Sequence, residues 1–285
     1  KCKMSLKALT ASLTRSGPGG LILTPVLLDF LFKQGRDVHA GRISKKSIVV
    51  ADARHSIAAL KTRILEFNHG EKERIPGAFH PSSMGRCRRE MWFTHFGAER
   101  RSESKSESLR TFVTFEFGTY FHMFIQNLCD AAGILLSRET LVESRNPPIE
   151  GHCDGVLKVD GVKYALEIKT INQYEFAKLT KPKFEHKQQV MTYMYVLGIG
   201  YGIVLYFDKG TGNFKEYVVA YDSVFVQDHV ISVIKAYRRM VRTRELPPRV
   251  SEDPSRPPCS YCSYAELCYN AGALKKFVKS VKALP

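Results

Sequence analysis

Residues 149–170, Ile-Glu-Gly-His-Cys-Asp-Gly-Val-Leu-Lys-Val-Asp-Gly-Val-Lys-Tyr-Ala-Leu-Glu-Ile-Lys-Thr, constrain the fold more than any other stretch of the chain. Two runs of alternating apolar residues flank Asp160-Gly161, a dipeptide suited to the paired positive φ angles of a type I′ turn, so the stretch predicts a β-hairpin. A two-residue turn there fixes the register, with Val159 opposite Val162, Val156 opposite Ala165 and Asp154 opposite Glu167. The two-residue period of a strand then puts Asp154, Glu167 and Lys169 on one face.

Carboxylates directly opposite one another on neighbouring strands repel. A divalent cation between them removes the objection. Hard oxygen donors suit Mg²⁺ or Mn²⁺, and a lysine two residues from the glutamate can hold or help deprotonate a metal-bound water beside a phosphate. The alternative is an exposed strand face whose Asp, Glu and Lys only keep it soluble.

Charge narrows the choice of partner. Lys and Arg total 43 against 28 Asp and Glu, a formal net charge of +15 with a pI near 9.5, which favours a polyanion. The basic residues are spread along the chain, as for a surface or groove and not a disordered arm. No apolar run approaches the ~18 residues of a membrane span, and the N-terminus carries no secretory pattern, so an intracellular, cytoplasmic protein with no membrane partner is expected. Seven cysteines, an odd number, argue against a secreted disulfide scaffold.

Residues 1–80 read as a helical N-terminal region, with helical apolar spacing over 25–34 and 51–69 and breaks at 16–20 and 70–77. Ser82 or Ser83 is placed to cap a helix running through Cys87 to about Phe96. Residues 100–110 read as a polar loop. Residues 115–132 form a helix with Phe117, Phe121, Phe124 and Leu128 as the apolar stripe and His122 off it. His122 is either a packing residue or, set over the acidic hairpin face, a further metal ligand. A strand over 138–144 brings in Glu139 and Glu143 as weaker acidic candidates. In the helix 184–197, Gln189 and Tyr193 share a face suited to hydrogen-bonding a phosphate or stacking a base, with Lys187 adding charge; an ordinary amphipathic helix is the alternative. Residues 202–207 and 214–220 read as strands and 224–244 as one long helix, which together give an α/β core.

Near the C-terminus stand Cys259, Cys262 and Cys268, three thiols within ten residues, with the C-x2-C spacing that chelates a soft centre. Cys87 is the best candidate for the fourth ligand. Four thiolates suit structural zinc or a 4Fe-4S cluster equally, with a disulfide as the remaining reading.

In order, Cys87, Gly-Thr-x-x-His ending at His122, Gly-x-x-Asp ending at Asp154, Glu-x-Lys at Glu167 and Lys169, Gln-x-x-x-Tyr at Gln189 and Tyr193, and the final three cysteines resemble the RecB-like branch of the PD-(D/E)XK nucleases. Within that branch the pattern is similar to the iron-sulfur members: CRISPR-associated RecB-like exonucleases, AddB-type nuclease domains and related phage exonucleases. The resemblance covers residues 81–270. It implies a restriction-endonuclease-like mixed β-sheet flanked by helices, with 81–285 as a nuclease domain closed by Cys87, Cys259, Cys262 and Cys268 around a 4Fe-4S cluster. It further implies that His122, Asp154, Glu167 and the Ile168 carbonyl hold Mg²⁺ or Mn²⁺, that Lys169 assists the water, and that Gln189 and Tyr193 touch DNA. The implied activity is an exonuclease on single-stranded ends, running 5′→3′, in recombination, repair or processing; a homo-oligomer or a recombination-complex partner fits the same resemblance, as does a host-cell cytoplasm if the chain is phage-encoded. Cys153 stands where the family pattern has proline.

Overall fold

The computed structural model describes residues 22, 23, 26, 27, 30, 78–101 and 105–284, with backbone only over 105–112. Of the expected N-terminal helices, Val26, Leu27 and Phe30 are helical and the 51–69 segment lies outside the described residues. Leu23 and Leu27 pack on the sheet, where the Ile22 and Leu23 amides donate to the buried carboxylate of Glu216 at 2.8 and 2.9 Å.

Five strands form one mixed sheet in sequence order: β1 (Leu135–Arg145), β2 (Pro148–Val159), β3 (Val162–Ile171), β4 (Tyr201–Asp208) and β5 (Phe214–Ala220). Neighbours are antiparallel except β3 and β4, which run parallel across a crossover containing α3 (Gln173–Lys178) and α4 (Phe184–Leu197). The hairpin register is as expected at Val159↔Val162 and Val156↔Ala165, and Asp160 and Gly161 both have positive φ, 48° and 82°. The β2–β3 ladder ends at Gly155↔Leu166, one pair short of Asp154 and Glu167. Beyond it, β2 continues beside β1 as an arm that turns at Asn146-Pro147, with Ile149 also bridged to Phe79.

Helices cover both faces because the central strands alternate apolar side chains to either side. One face buries Val156, Ala165, Val204 and Tyr206 under α4 and the helical segment α5 (Ser223–Val226), the π-turn Gln227–Ile231 and α6 (Ser232–Thr243). The other buries Leu157, Leu166, Ile168 and Leu205 under α2 (Lys105–Ala131). Each such side chain, removed from water, contributes roughly 1.5–3 kcal/mol before the entropy of ordering it. A third core joins Trp92 and Phe93 of α1 (Arg88–His95) to Met240, Tyr264 and Val281, and carries α7 (Ala265–Tyr269) and α8 (Ala271–Lys282).

Four sequence expectations need correction. The inward stripe of α2 is Phe121, Ile125, Leu128 and Cys129, whereas Phe117 and Phe124 are about half exposed. A helix so rich in apolar residues all round leaves its phase ambiguous in sequence. The helix also begins at Lys105, within the expected polar loop, since Ser, Glu, Lys and Arg tolerate helix when they face water. Ser82 and Ser83 lie in a 3-10 turn (Pro81–Ser83), and the α1 N-cap is Cys87 with no side-chain cap bond. Finally, the long helix over 224–244 is interrupted by the π-turn before it ends at Arg244 in the left-handed region.

Candidate active site

Asp154, Glu167 and Lys169 meet where β2 leaves β3. The opening is held by the Cys153 thiol, which lies 3.1 Å from the Gly155 carbonyl and 3.3 Å from that of Leu166, so its S–H satisfies backbone acceptors at the end of the ladder. Burial keeps that thiol protonated, well above the usual range. A proline could not donate here, which gives the departure at position 153 a structural account. From α2, Gln126 donates to the Asp154 carbonyl at 2.7 Å and to Glu139 at 3.0 Å, so Glu139 braces the strand instead of joining the carboxylate pair. Glu143 is exposed on the arm.

Asp154 directs Oδ2 at the Ile168 amide, which donates at 2.6 Å, and Oδ1 lies 3.4 Å from His122 Nδ1. The contact pins β3 beside β2 after the ladder has ended, and it fixes the Ile168 backbone next to both carboxylates. Glu167 is 1% exposed, paired through Oε1 to the Lys169 ammonium, while its Oε2 is buried with no partner. Burial, then Asp154, raises the Glu167 carboxyl to about 7. Burial opposes the Lys169 charge, but Glu167 outweighs it and raises the ammonium above its usual value. The two shifts describe one desolvated pair competing for a proton, and the ion pair at short range favours Lys169 as its holder. His122 behaves alike: desolvation lowers it, the Asp154 hydrogen bond raises it, and the net direction is up.

On α4, Gln189 Nε2 donates to the Tyr193 hydroxyl at 2.6 Å, and both side chains are buried. Burial, followed by the fields of Glu167 and Asp154, lifts the Tyr193 phenol well above its ordinary value. Lys187 turns away and sits 4.0 Å over the Phe225 ring. Two residues escaped the sequence reading. His186, adjacent to the noticed motif, is pushed down to about 3 by burial and then by Lys169 and Lys183, so it is neutral. Its Nδ1 lies 2.7 Å from the Tyr206 hydroxyl, which also accepts the Lys183 amide at 2.9 Å.

Among the described residues no three His, Cys, Asp or Glu side chains stand at the spacing of a formed metal centre. The carboxylate group nevertheless fits a hard cation by its chemistry: two carboxylates, an imidazole and one buried oxygen without a partner. The cysteines are brought to one place. Cys87, Cys259, Cys262 and Cys268 all line a single cavity with Arg89 and Arg249, and all four are free thiols. Arg89 reaches Cys268 Sγ at 3.5 Å and the Pro247 carbonyl at 2.7 Å, while Arg249 donates to the Cys268 carbonyl at 2.8 Å. Two guanidiniums thus stand beside the four thiols, and burial raises the Cys262 thiol above its usual value.

No protein-family model matches the chain, and no curated protein sequence does at a significant level. Among solved structures, the fold is similar to SSO0001, with 17% identity and a TM-score of 0.49 over 75% of this chain and 95% of that one. It is also similar to LHK-Exo, an alkaline exonuclease from Laribacter hongkongensis, over 59% of this chain and 89% of that one. The TM-score is 0.42 with 15% identity for the complex with dAMP, and 0.39 with 14% identity for a second structure of that enzyme. Identity this low leaves function to be read from the side chains. Among the described residues no helix is long and apolar enough to cross a membrane.

Proposed function

We propose that the chain is a metal-dependent deoxyribonuclease that hydrolyses phosphodiester bonds, acting as an exonuclease on single-stranded ends. The observation that carries this reading is the buried, unpartnered Oε2 of Glu167 beside Asp154 and Lys169. A buried carboxylate oxygen left without a donor costs free energy, and a cation supplied with substrate relieves it. Asp154, Glu167, His122 and the Ile168 carbonyl would hold Mg²⁺ or Mn²⁺, which lowers the pKa of a bound water and offsets charge on the phosphate.

The chain's own residues do the rest. Lys169, charged and only partly exposed, is aimed to orient the attacking water and to take up negative charge developing on the phosphate. Asp154 keeps β3 fixed through the Ile168 amide, so the carboxylates stay in place as the substrate changes charge. Gln189 and Tyr193, buried and hydrogen-bonded to each other, give the carboxylates a fixed polar neighbour in whose phenol their fields are felt. A 5′→3′ polarity and a role in recombination, repair or processing follow the family resemblance. Cys87, Cys259, Cys262 and Cys268 are assigned to a 4Fe-4S cluster that staples the C-terminal lobe, with structural zinc as the alternative. The broad visible absorption of sulfur-to-iron charge transfer separates the two.

The test is digestion of linear and circular single-stranded DNA with Mg²⁺ or Mn²⁺ beside an identically purified Glu167→Ala variant. Loss of linear DNA alone, abolished in the variant, is expected. Cutting of circles makes the enzyme an endonuclease, and binding without any cutting removes the catalytic reading in favour of a DNA-binding scaffold.

A further inference from the structure

Away from the carboxylates, α6 presents a row of cations. Lys235, Arg238, Arg239 and Arg242 are spaced i, i+3, i+4, i+7 and are all exposed, while Ile234, Tyr237 and Met240 turn inward. None of the four has an acidic partner among the described residues, which is unusual for a surface row with a choice of neighbours. They line one side of a groove of about 410 Å³ whose opposite wall is Pro148, at the turn of the β1–β2 arm. Inward anchoring makes the row rigid, because Ile234 belongs to the sheet core and Met240 to the core of the cysteine lobe.

Pro148, which lines the groove, and Asp154 of the carboxylate site lie on the same strand, β2. From Pro148 to Asp154, β2 spans about 20 Å. The arm itself pairs Glu143 with Glu150 across the β1–β2 ladder. Residues 79–86 run from α6, where Phe79 packs on Tyr237, to the start of α4, where Gly85 lies against Glu185. Gly85 has φ +79°, and a Cβ there would come within 2.5 Å of the Glu185 Cβ, so only glycine lets this segment close on α4. Arg86, exposed and again without an acidic partner among the described residues, follows it, next to the helix end that carries His186. Cations therefore stand at both ends of this segment.

We infer that Lys235, Arg238, Arg239 and Arg242, continued by Arg86, form a phosphate track along which a DNA strand runs to or from the carboxylate site; the inference rests on the nuclease reading. An extended single strand of only a few nucleotides spans the ~20 Å from Pro148 to Asp154. Strands that end at the site bind without it.

The experiment measures equilibrium binding, in EDTA so that nothing is cut, of labelled single-stranded DNA of about 30 and about 4 nucleotides. It compares the wild type with Arg238→Ala/Arg239→Ala/Arg242→Ala and with the corresponding triple lysine variant. The alanine variant should bind the longer strand at least tenfold more weakly. Its log K against log salt slope should flatten by about 2, three phosphate contacts at ~0.7 each, with the short strand unaffected and lysine restoring most of the loss. An unchanged slope overturns the track, as does equal competition by polyglutamate of matched charge, which assigns the groove to an acidic protein. Wild-type digestion with Mn²⁺ separates the two readings. Cutting with an unchanged slope removes the track alone, and a flattened slope without cutting upholds the track and removes the nuclease.

Discussion

The carboxylate site and the cysteine cavity solve opposite problems of assembly. Asp154, Glu167 and Lys169 come from one hairpin whose turn sets the register of its strands. Cys87 meets Cys259, Cys262 and Cys268 only once the whole sheet has been laid down between them. A local device can hold a costly arrangement, two carboxylates and a desolvated ammonium, because the hairpin brings its two strands to that point and the Ile168 amide ties Asp154 in place. A device closed over such a long loop instead acts on the chain as a whole, since tying distant segments removes much of the unfolded chain's freedom. Damage to the first should appear in rate, and damage to the second in stability.

The largest effect is therefore expected from Lys169→Met, which should lower the cleavage rate by on the order of 10²–10³. Its melting temperature, taken below pH 7 where Glu167 keeps its proton, should change less than that of Cys262→Ala. Equal losses of rate and stability would erase the contrast. Cys262→Ala should do the reverse. A loss of about 2 kcal/mol, or ~5 °C in melting temperature, is expected together with loss of bound iron or zinc, and residual activity below the melting range should stay within a few-fold of wild type. An unchanged melting temperature with normal metal content would refute the staple.

The smallest effect concerns pH. Glu167, raised from 4.5 to about 7 by burial and Asp154, keeps its proton in the folded chain where the unfolded chain has lost it. This contribution is complete below pH 4.5 and disappears as the pH rises through 7. In metal-free buffer the neutral double variant Glu167→Gln/Lys169→Met should gain on the wild type between pH 5 and 8, by about 1–3 kcal/mol in urea denaturation. A constant difference across that range would mean that the pair carries no such strain.

What could be read in the sequence follows the same division. The hairpin turn, its register down to Gly155, the limits of α4 and the β4 and β5 pair depend on near neighbours, and each has a short-range signal such as Asp160-Gly161 or period-two alternation. The inward face of α2 has no such signal, because Phe115, Phe117, Phe121 and Phe124 compete for it and only the sheet decides that Phe121 and Ile125 win. His186 and Tyr206 were invisible as a pair, since β4 and α4 meet only through the crossover. Gathering of the four cysteines was foreseeable by number and spacing, but the two arginines among them were not, because nothing near Arg249 in sequence points to Cys268.

The π-turn at Gln227–Ile231 has a consequence for how such a protein is tuned. One residue more than an α-helix needs advances everything after it by about 100° around the axis. Whether Arg238, Arg239 and Arg242 look across at Pro148 or out into bulk water is thus decided upstream, by a single inserted residue in a segment that touches neither. Insertion and deletion there act as a dial on the bearing of the cations, one that leaves their identity, number and spacing untouched.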